Sequence, residues 1–391
     1  MNKLTKNLIL ATVFLIPSYL VKFSIFGIPT NVLEILIYLT FISYLFEKPH
    51  ISWKELYKNY KVYIFPIALI FLGLILSTLI NQNYREGFGI IKGWFFDPLL
   101  FSFVLINTVK NKKDIENIEK SFYLSAFLVG IAALQYFFFG NLTYDGRLSS
   151  FYSSPNYLAM FLAPAVFIGA CFLKTKKFIM IFPAAIIIFV IYLTYSYATW
   201  TAIILSLLIV AFITKNISKK FILISLTIIL IAFLIQTNNP KLKDIFSERS
   251  SLNSRSMIWK SSVLMIKNNF IFGIGPGNFQ NKYLEYQKYF PPYLEWAVPE
   301  PHNLYLAFWL ESGLIGLISF ISLIYIWLKK MLKNSHFTAV PFGIILYILI
   351  HGIADTTYWK NDLSLIFWIF FSLGLLQIYS IKLSVGPVDK K

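Results

Sequence analysis

Long apolar runs alternate with short polar segments along nearly the whole chain, and only one of the polar segments is long. A helix rises 1.5 Å per residue, so about twenty apolar residues cross the ~30 Å of hydrocarbon in a bilayer. Twelve runs approach that length, at 8–26, 30–46, 62–80, 92–106, 121–139, 156–173, 178–196, 198–213, 221–236, 303–328, 339–355 and 363–381. The two-residue alternation of barrel strands is absent. Backbone groups in lipid must satisfy one another within the segment, so each run predicts a helix. The long polar stretch, 237–302, falls between the ninth and tenth runs and predicts one large loop on a single side of the membrane. Within it, Ser254 to Asn268 places Ile258, Val263, Met265 and Ile266 among polar residues, the pattern of a short amphipathic helix. Ser254 is the expected N-cap, which puts Arg255 in the first turn. The expected fold is all-α, a polytopic membrane protein of about 12 transmembrane helices. It forms a single membrane domain over 1–391, with a large extracytoplasmic loop containing short helices.

Composition excludes the soluble alternative: 57% of residues are hydrophobic, 14% are charged and the mean hydropathy is +0.66. Lysines then set the orientation, because they accumulate in short cytoplasmic loops. With the N-terminus inside, Lys54, Lys112, Lys176, Lys219 and Lys330 all fall in inner loops, and Lys390 and Lys391 in an inner C-terminal tail. Both termini are therefore expected in the cytoplasm, with the large loop outside. The formal net charge of +17 reads as topology and calls for no nucleic-acid partner. Lys3 and Lys6 precede the first run as in a signal peptide, but no small-x-small cleavage site follows, so a retained helix is expected. Cys171 is the only cysteine, which leaves no intrachain disulfide.

All four arginines, Arg85, Arg147, Arg249 and Arg255, fall on the outer side, against the direction in which topology pushes cations. A guanidinium grips phosphate through a planar fork of donors. The diphosphate of a lipid carrier suits these arginines, and so do lipid headgroups or neighbouring acids. Three spaced glycines, Gly273, Gly275 and Gly277, read first as a tight turn. The segment lacks the lysine and preceding strand of a phosphate loop. His302 stands at the water end of the tenth run, placed to act as a general base or as an interfacial helix cap. Glu311, about 13 Å further along that helix, needs a partner or a role at such depth. His351 and Asp355, four apart, are expected to share a helix face as contacts or cavity lining, as are Glu34, Lys92 and Asp97. The aromatic run from Tyr283 to Trp296 suits sugar stacking and headgroup contact equally. No cluster of His, Asp or Glu has ligand spacing, so no metal is expected, and no cofactor.

Several of these segments together resemble a known family. They are Arg255 with Trp259 four residues on, the run Phe272-Gly273-Ile274-Gly275-Pro276-Gly277-Asn278-Phe279, His302-Asn303-Leu304-Tyr305-Leu306, and Glu311-Ser312-Gly313-Leu314-Ile315-Gly316. Their order, spacing and topology resemble the signature loop of the O-antigen ligase and O-antigen polymerase family. Upstream, Gly146-Arg147 with Ser154-Pro155-Asn156-Tyr157-Leu158-Ala159, and Leu193-Thr194-Tyr195-Ser196 before Trp200, are similar to it. The resemblance implies a metal-independent, inverting membrane glycosyltransferase. Such an enzyme moves a glycan from undecaprenyl diphosphate to a lipid, glycan or protein acceptor hydroxyl. It implies His302 as the base and Arg255 on the diphosphate; Arg147, Arg249, Asn303, Tyr197 and Glu311 make up the expected substrate-binding set beside them. One departure stands out: where the family commonly has Ser-Arg, this chain has Ser196-Tyr197, so Arg147 or Arg249 is expected to supply the second diphosphate contact. The rival reading is a transporter or flippase of lipid-linked glycans. Against it, the chain shows no second matching half, and a large one-sided loop suits alternating access poorly.

Overall fold

The computed structural model describes residues 3–47, 53–174, 181–214, 250–292, 295–334 and 339–380. In chain order the helices are α1 (Lys3–Phe14), α2 (Val32–Phe46), α3 (Trp53–Asn81), α4 (Tyr84–Ile90), α5 (Asp97–Thr108), α6 (Lys112–Phe138), α7 (Pro155–Lys174), α8 (Ile181–Leu193), α9 (Tyr197–Thr214), α10 (Ser251–Asn268), α11 (Phe279–Tyr286), α12 (Leu304–Lys333), α13 (Ala339–His351) and α14 (Asn361–Ser380). Among the described residues, 7 helical stretches are long and apolar enough to cross a membrane, and α2, α8 and α13 are shorter apolar helices. The protein is a multi-pass membrane protein. Ten of the twelve expected runs are thereby seen as helices, the expected span at 221–236 lies outside the described residues, and the first run departs from expectation.

That first run is not one helix. α1 stops at Phe14, a 3-10 turn follows over Ile16–Leu20 with Pro17 at its start, and the chain then forms a hairpin. Strands β1 (Lys22–Ile25) and β2 (Ile28–Asn31) pair antiparallel, Lys22 facing Asn31 and Ile25 facing Ile28. Phe26 and Gly27 both have positive φ, 50° and 79°, the geometry that matches a two-residue connection to the twist of its strands. Proline removes a helical donor, and the hydrophobic run conceals the break because both forms are apolar. Asn31 then caps α2, its Oδ1 accepting from Glu34 N at 3.0 Å.

The fourth expected span begins earlier than its apolar run. Tyr84–Thr108 is continuous, α4 passing into α5 through a π-type turn over Ile91–Phe96. This wider turn brings Lys92 to within 3.2 Å of Asp97, and Lys92 also donates to Glu34 at 2.5 Å. Tyr38 donates to Asp97 at 2.7 Å. These groups satisfy one another across α2, the π-type turn and α5, as buried charges must.

α14 lies at the centre, with 89% of its span buried, while α3 and α6 are 39% buried and lie at the periphery. α12 runs along α3 at very short range. A Cβ on Gly73 would stand 2.4 Å from the Ser312 carbonyl, so only glycine permits the approach. α12 itself is broken at Gly313 (φ 68°, ψ −176°). The break frees backbone groups that the glycine-rich turn takes up: Ile274 N donates to Leu310 O at 2.6 Å, and Leu314 N to Ile271 O at 2.9 Å. Backbone away from water finds its partners here across two segments rather than within one.

Candidate active site

The turn joining α13 to α14 carries Asp355, and four parts of the chain converge on it. Its Oδ1 pairs with His302 Nδ1 at 3.0 Å and accepts from Thr356 N at 2.9 Å. Its Oδ2 accepts from Arg255 Nη2 at 3.4 Å and from Asn156 Nδ2 at 3.2 Å. Asn156 in turn accepts from Arg147 Nη2 at 2.6 Å, and Arg147 Nε donates to Thr194 O at 2.7 Å. The network thus joins the segment before α7, the end of α8, helix α10 and the approach to α12 around one carboxylate.

Backbone geometry presents the histidine. His302 has φ 47°, uncommon for a residue with a side chain. The indole Nε1 of Trp259 donates to the carbonyls of both Pro301 (3.1 Å) and His302 (3.2 Å), holding the turn from α10. On its other side Asn303 caps α12, its Oδ1 accepting from Tyr305 N and Leu306 N, both at 3.0 Å, and its Nδ2 donating to Ile353 O at 2.8 Å. The cap is therefore Asn303 and not His302. Ser250, rather than Ser254, caps α10, so Arg255 stands in the second turn. The reason is chain direction: Ser250 Oγ accepts from Asn253 N, and Ser254 is already helical.

The charges settle each other's state. Burial by itself pulls the His302 pKa down, but the Asp355 carboxylate outweighs it and raises the pKa above the ordinary histidine value. Burial would push Asp355 up, yet His302 and then Arg255 hold it well below the usual carboxylate range. Burial lowers the Arg147 pKa, partly offset by Asp145. Glu300, buried and accepting from Thr356 Oγ1, is pushed up to about 7 by burial. With Nδ1 turned to Asp355, His302 Nε2 is the nitrogen available to a ligand, and the side chain is 31% exposed while Asp355 is 2% exposed. The arrangement can accept a proton at an accessible imidazole whose orientation and charge are set by a buried acid.

Of the expected residues, the structure brings together His302, Arg255, Arg147 and Asn303. Tyr197 opens α9, packed edge-on against Trp200 and within electrostatic reach of Arg147. Glu311 sits elsewhere: its Oε2 accepts from Gly277 N at 2.9 Å, so it fastens the glycine turn to α12. Arg249 lies outside the described residues. Arg85, in the first turn of α4, is exposed. Asp355 was expected to share a helix face with His351, as a helix contact or as cavity lining. α13 ends at His351 instead, and Asp355 belongs to the turn after it. His351 pairs away from the cluster, with Tyr347 OH at 2.9 Å and Thr199 Oγ1 at 3.4 Å. Asn156, Glu300, Thr356 and Trp259 had no site role in the sequence reading. Asn156 and Trp259 lay inside its motifs, whereas nothing local to Thr356 signals its partner 56 residues away.

Residues 182–321 match the family model described as O-antigen ligase. The chain is 27% identical over 317 residues to the O-antigen ligase of Salmonella typhimurium, covering 75% of each. It is 36% identical over 89 residues to a candidate polysaccharide ligase of Rickettsia conorii, 22% of this chain and 20% of that one, and matches a Rickettsia felis counterpart equally. The match thus spans about a fifth of the length of the two Rickettsia relatives.

Proposed function

We propose that the protein, whose residues 182–321 match the O-antigen ligase family model, is a membrane glycosyltransferase. It moves a glycan from undecaprenyl diphosphate to an acceptor hydroxyl on the outer side of the cytoplasmic membrane. The observation that carries this reading is the convergence of His302, Arg255, Asn156 and, through Asn156, Arg147 on Asp355. His302 Nε2 removes the acceptor proton as the acceptor oxygen bonds to the anomeric carbon. The bond from that carbon to the diphosphate oxygen breaks, and its electron pair leaves with the lipid diphosphate. Arg255 spends one donor on Asp355 and keeps the remainder of its fork for phosphate oxygens. Arg147 adds positive charge from a buried position, where it acts in a low dielectric. Asp355 holds His302 in the tautomer with Nε2 unprotonated and stabilises the imidazolium formed on proton transfer. A single displacement without an enzyme nucleophile inverts the anomeric centre, and the positive charge comes from arginine rather than a metal. Both termini lie in the cytoplasm, which puts the 237–302 loop on the side where the carrier-linked glycan is used.

The test is reconstitution in proteoliposomes with undecaprenyl diphosphate-linked glycan, alone and with a lipid-core acceptor, comparing wild type with His302→Ala. Product only with added acceptor marks a ligase; longer carrier-linked chains from donor alone mark a polymerase. Turnover by His302→Ala at the wild-type rate would defeat the assignment of the base.

A further inference from the structure

Glu300 and Lys360 stand beside the candidate base without pairing with each other. Glu300 lies two residues before His302, on backbone that Trp259 braces at Pro301 and His302. Its Oε2 accepts from Thr356 Oγ1, and Thr356 N donates to Asp355 Oδ1, so one residue ties both carboxylates together. The tie uses the same Asp355 oxygen that meets His302, whereas Arg255 and Asn156 reach Asp355 through the other oxygen. Glu300 Oε1 has no hydrogen-bond partner among the described residues, and it is not sealed from solvent.

Lys360 closes the turn that carries Asp355. Its Nζ lies 3.2 Å from the centroid of the Tyr157 ring, and Tyr157 follows Asn156, the residue that joins Arg147 to Asp355. The ammonium has no ion pair and no hydrogen bond among the described residues. A ring face attracts such a cation but leaves its three N–H donors largely unused. Glu300 and Lys360 feel each other's charge, and Lys360 also feels that of Asp355.

The chemistry of the pair selects its ligand. A phosphate would meet Lys360 but be repelled by Glu300, which burial has already pushed up to about 7. A cation would meet Glu300 and be repelled by Lys360. A hydroxyl both donates and accepts, so hydroxyls on neighbouring carbons of a sugar serve the two groups at once. Positive charge for the diphosphate is supplied separately, by Arg255 and Arg147 on the other side of Asp355.

We infer that Glu300 and Lys360 bind the acceptor sugar, Glu300 accepting from and Lys360 donating to hydroxyls that flank the reacting one, and so align that oxygen with His302 Nε2. The inference rests on the glycosyl-transfer reading and names the side of the site that the acceptor takes.

The experiment is steady-state transfer in proteoliposomes by wild type, Glu300→Ala, Lys360→Met and Thr356→Val. The donor is undecaprenyl diphosphate-linked glycan, the acceptor is lipid core or a carrier-linked chain, whichever the wild type elongates, and each is varied in turn. Glu300→Ala and Lys360→Met are each expected to raise the acceptor KM by at least about tenfold, the loss of a charged hydrogen bond, and to leave the donor KM unchanged. Thr356→Val removes the tie but leaves the Glu300 carboxylate, so it is expected to lower kcat with a smaller effect on acceptor KM. Lys360→Met keeps its stem over Tyr157 and carries the test by itself if Glu300→Ala does not fold. An unchanged acceptor KM in variants that still turn over, or a raised donor KM in Lys360→Met, overturns the inference and leaves the glycosyl-transfer reading standing. No transfer by wild type under any condition overturns that reading, and the inference with it.

Discussion

Asp355 holds four donors at once, and each would be stranded in a different way without it. Asparagine in its place keeps the shape but loses the charge and one acceptor. Asp355→Asn is therefore expected to lower kcat by about 10²–10⁴-fold, the range for a mis-set general base, with less effect on KM. Steady-state kinetics in proteoliposomes measures it. The pH dependence has a definite sign. As the proposed base, His302 acts only when neutral, and Asp355 raises its pKa, so activity is expected to be lost as pH falls through that raised value. Removing the negative charge lowers the pKa, and the acid limb of the residual rate in Asp355→Asn moves to lower pH. An unmoved limb would mean that another group sets the profile. Trp259 acts one step further out. Trp259→Phe deletes the donor to both Pro301 O and His302 O, leaving the left-handed backbone at His302 without its brace. A residue in such a conformation costs about 1–3 kcal/mol, so a kcat lower by about tenfold is expected with an unchanged pH profile.

Helix α12 and the glycine turn are one construction. Gly313 has a φ/ψ pair open almost only to glycine, and a Cβ there would stand 2.3 Å from Ile271 O. At Gly273 (φ 68°) the Cβ would stand 2.2 Å from Leu310 O. Alanine at either position opposes both the backbone conformation and the hydrogen bonds that close the break. Gly313→Ala is expected to destabilise by more than about 2 kcal/mol, through strain and the lost bonds together. Thermal unfolding in detergent reads this. Glu311 belongs to the same construction, since it holds Gly277. Its replacement by glutamine, which still accepts a hydrogen bond, should disturb stability less than alanine. The turn was legible as a turn because spaced glycines permit positive φ. That it mends a broken helix was not, because the partners Leu310 and Ile271 lie 35 or more residues from theirs in sequence and are unremarkable as residue types.

For the molecule as a whole, the candidate site lies at one end of the bundle, which makes orientation testable with the lone cysteine removed. In a Cys171→Ser background, Tyr144→Cys, on the exposed loop beside Arg147, is expected to react with a membrane-impermeant maleimide on intact cells. Lys333→Cys, at the far end of α12, is expected to react only after lysis. The reverse pattern would invert the orientation and move the 237–302 loop inside.

Helix class, the positions of most spans and the candidacy of His302 and Arg255 were legible in the sequence, because apolar run length and local motifs depend on neighbours along the chain. The break after Phe14 was not, since a 3-10 turn and a hairpin can be as apolar as a helix. Asp355 was visible as a carboxylate near an apolar run, but its role was not. Its partners come from positions 156, 255, 302 and 356, and only the packing of α7, α10, α12 and α14 around one turn makes them neighbours. Hydrophobic periodicity commits a segment to the membrane through its own composition. Which buried charge meets which is decided by the electrostatics of the assembled bundle, where an acid at the centre has to be satisfied by groups from wherever the chain returns.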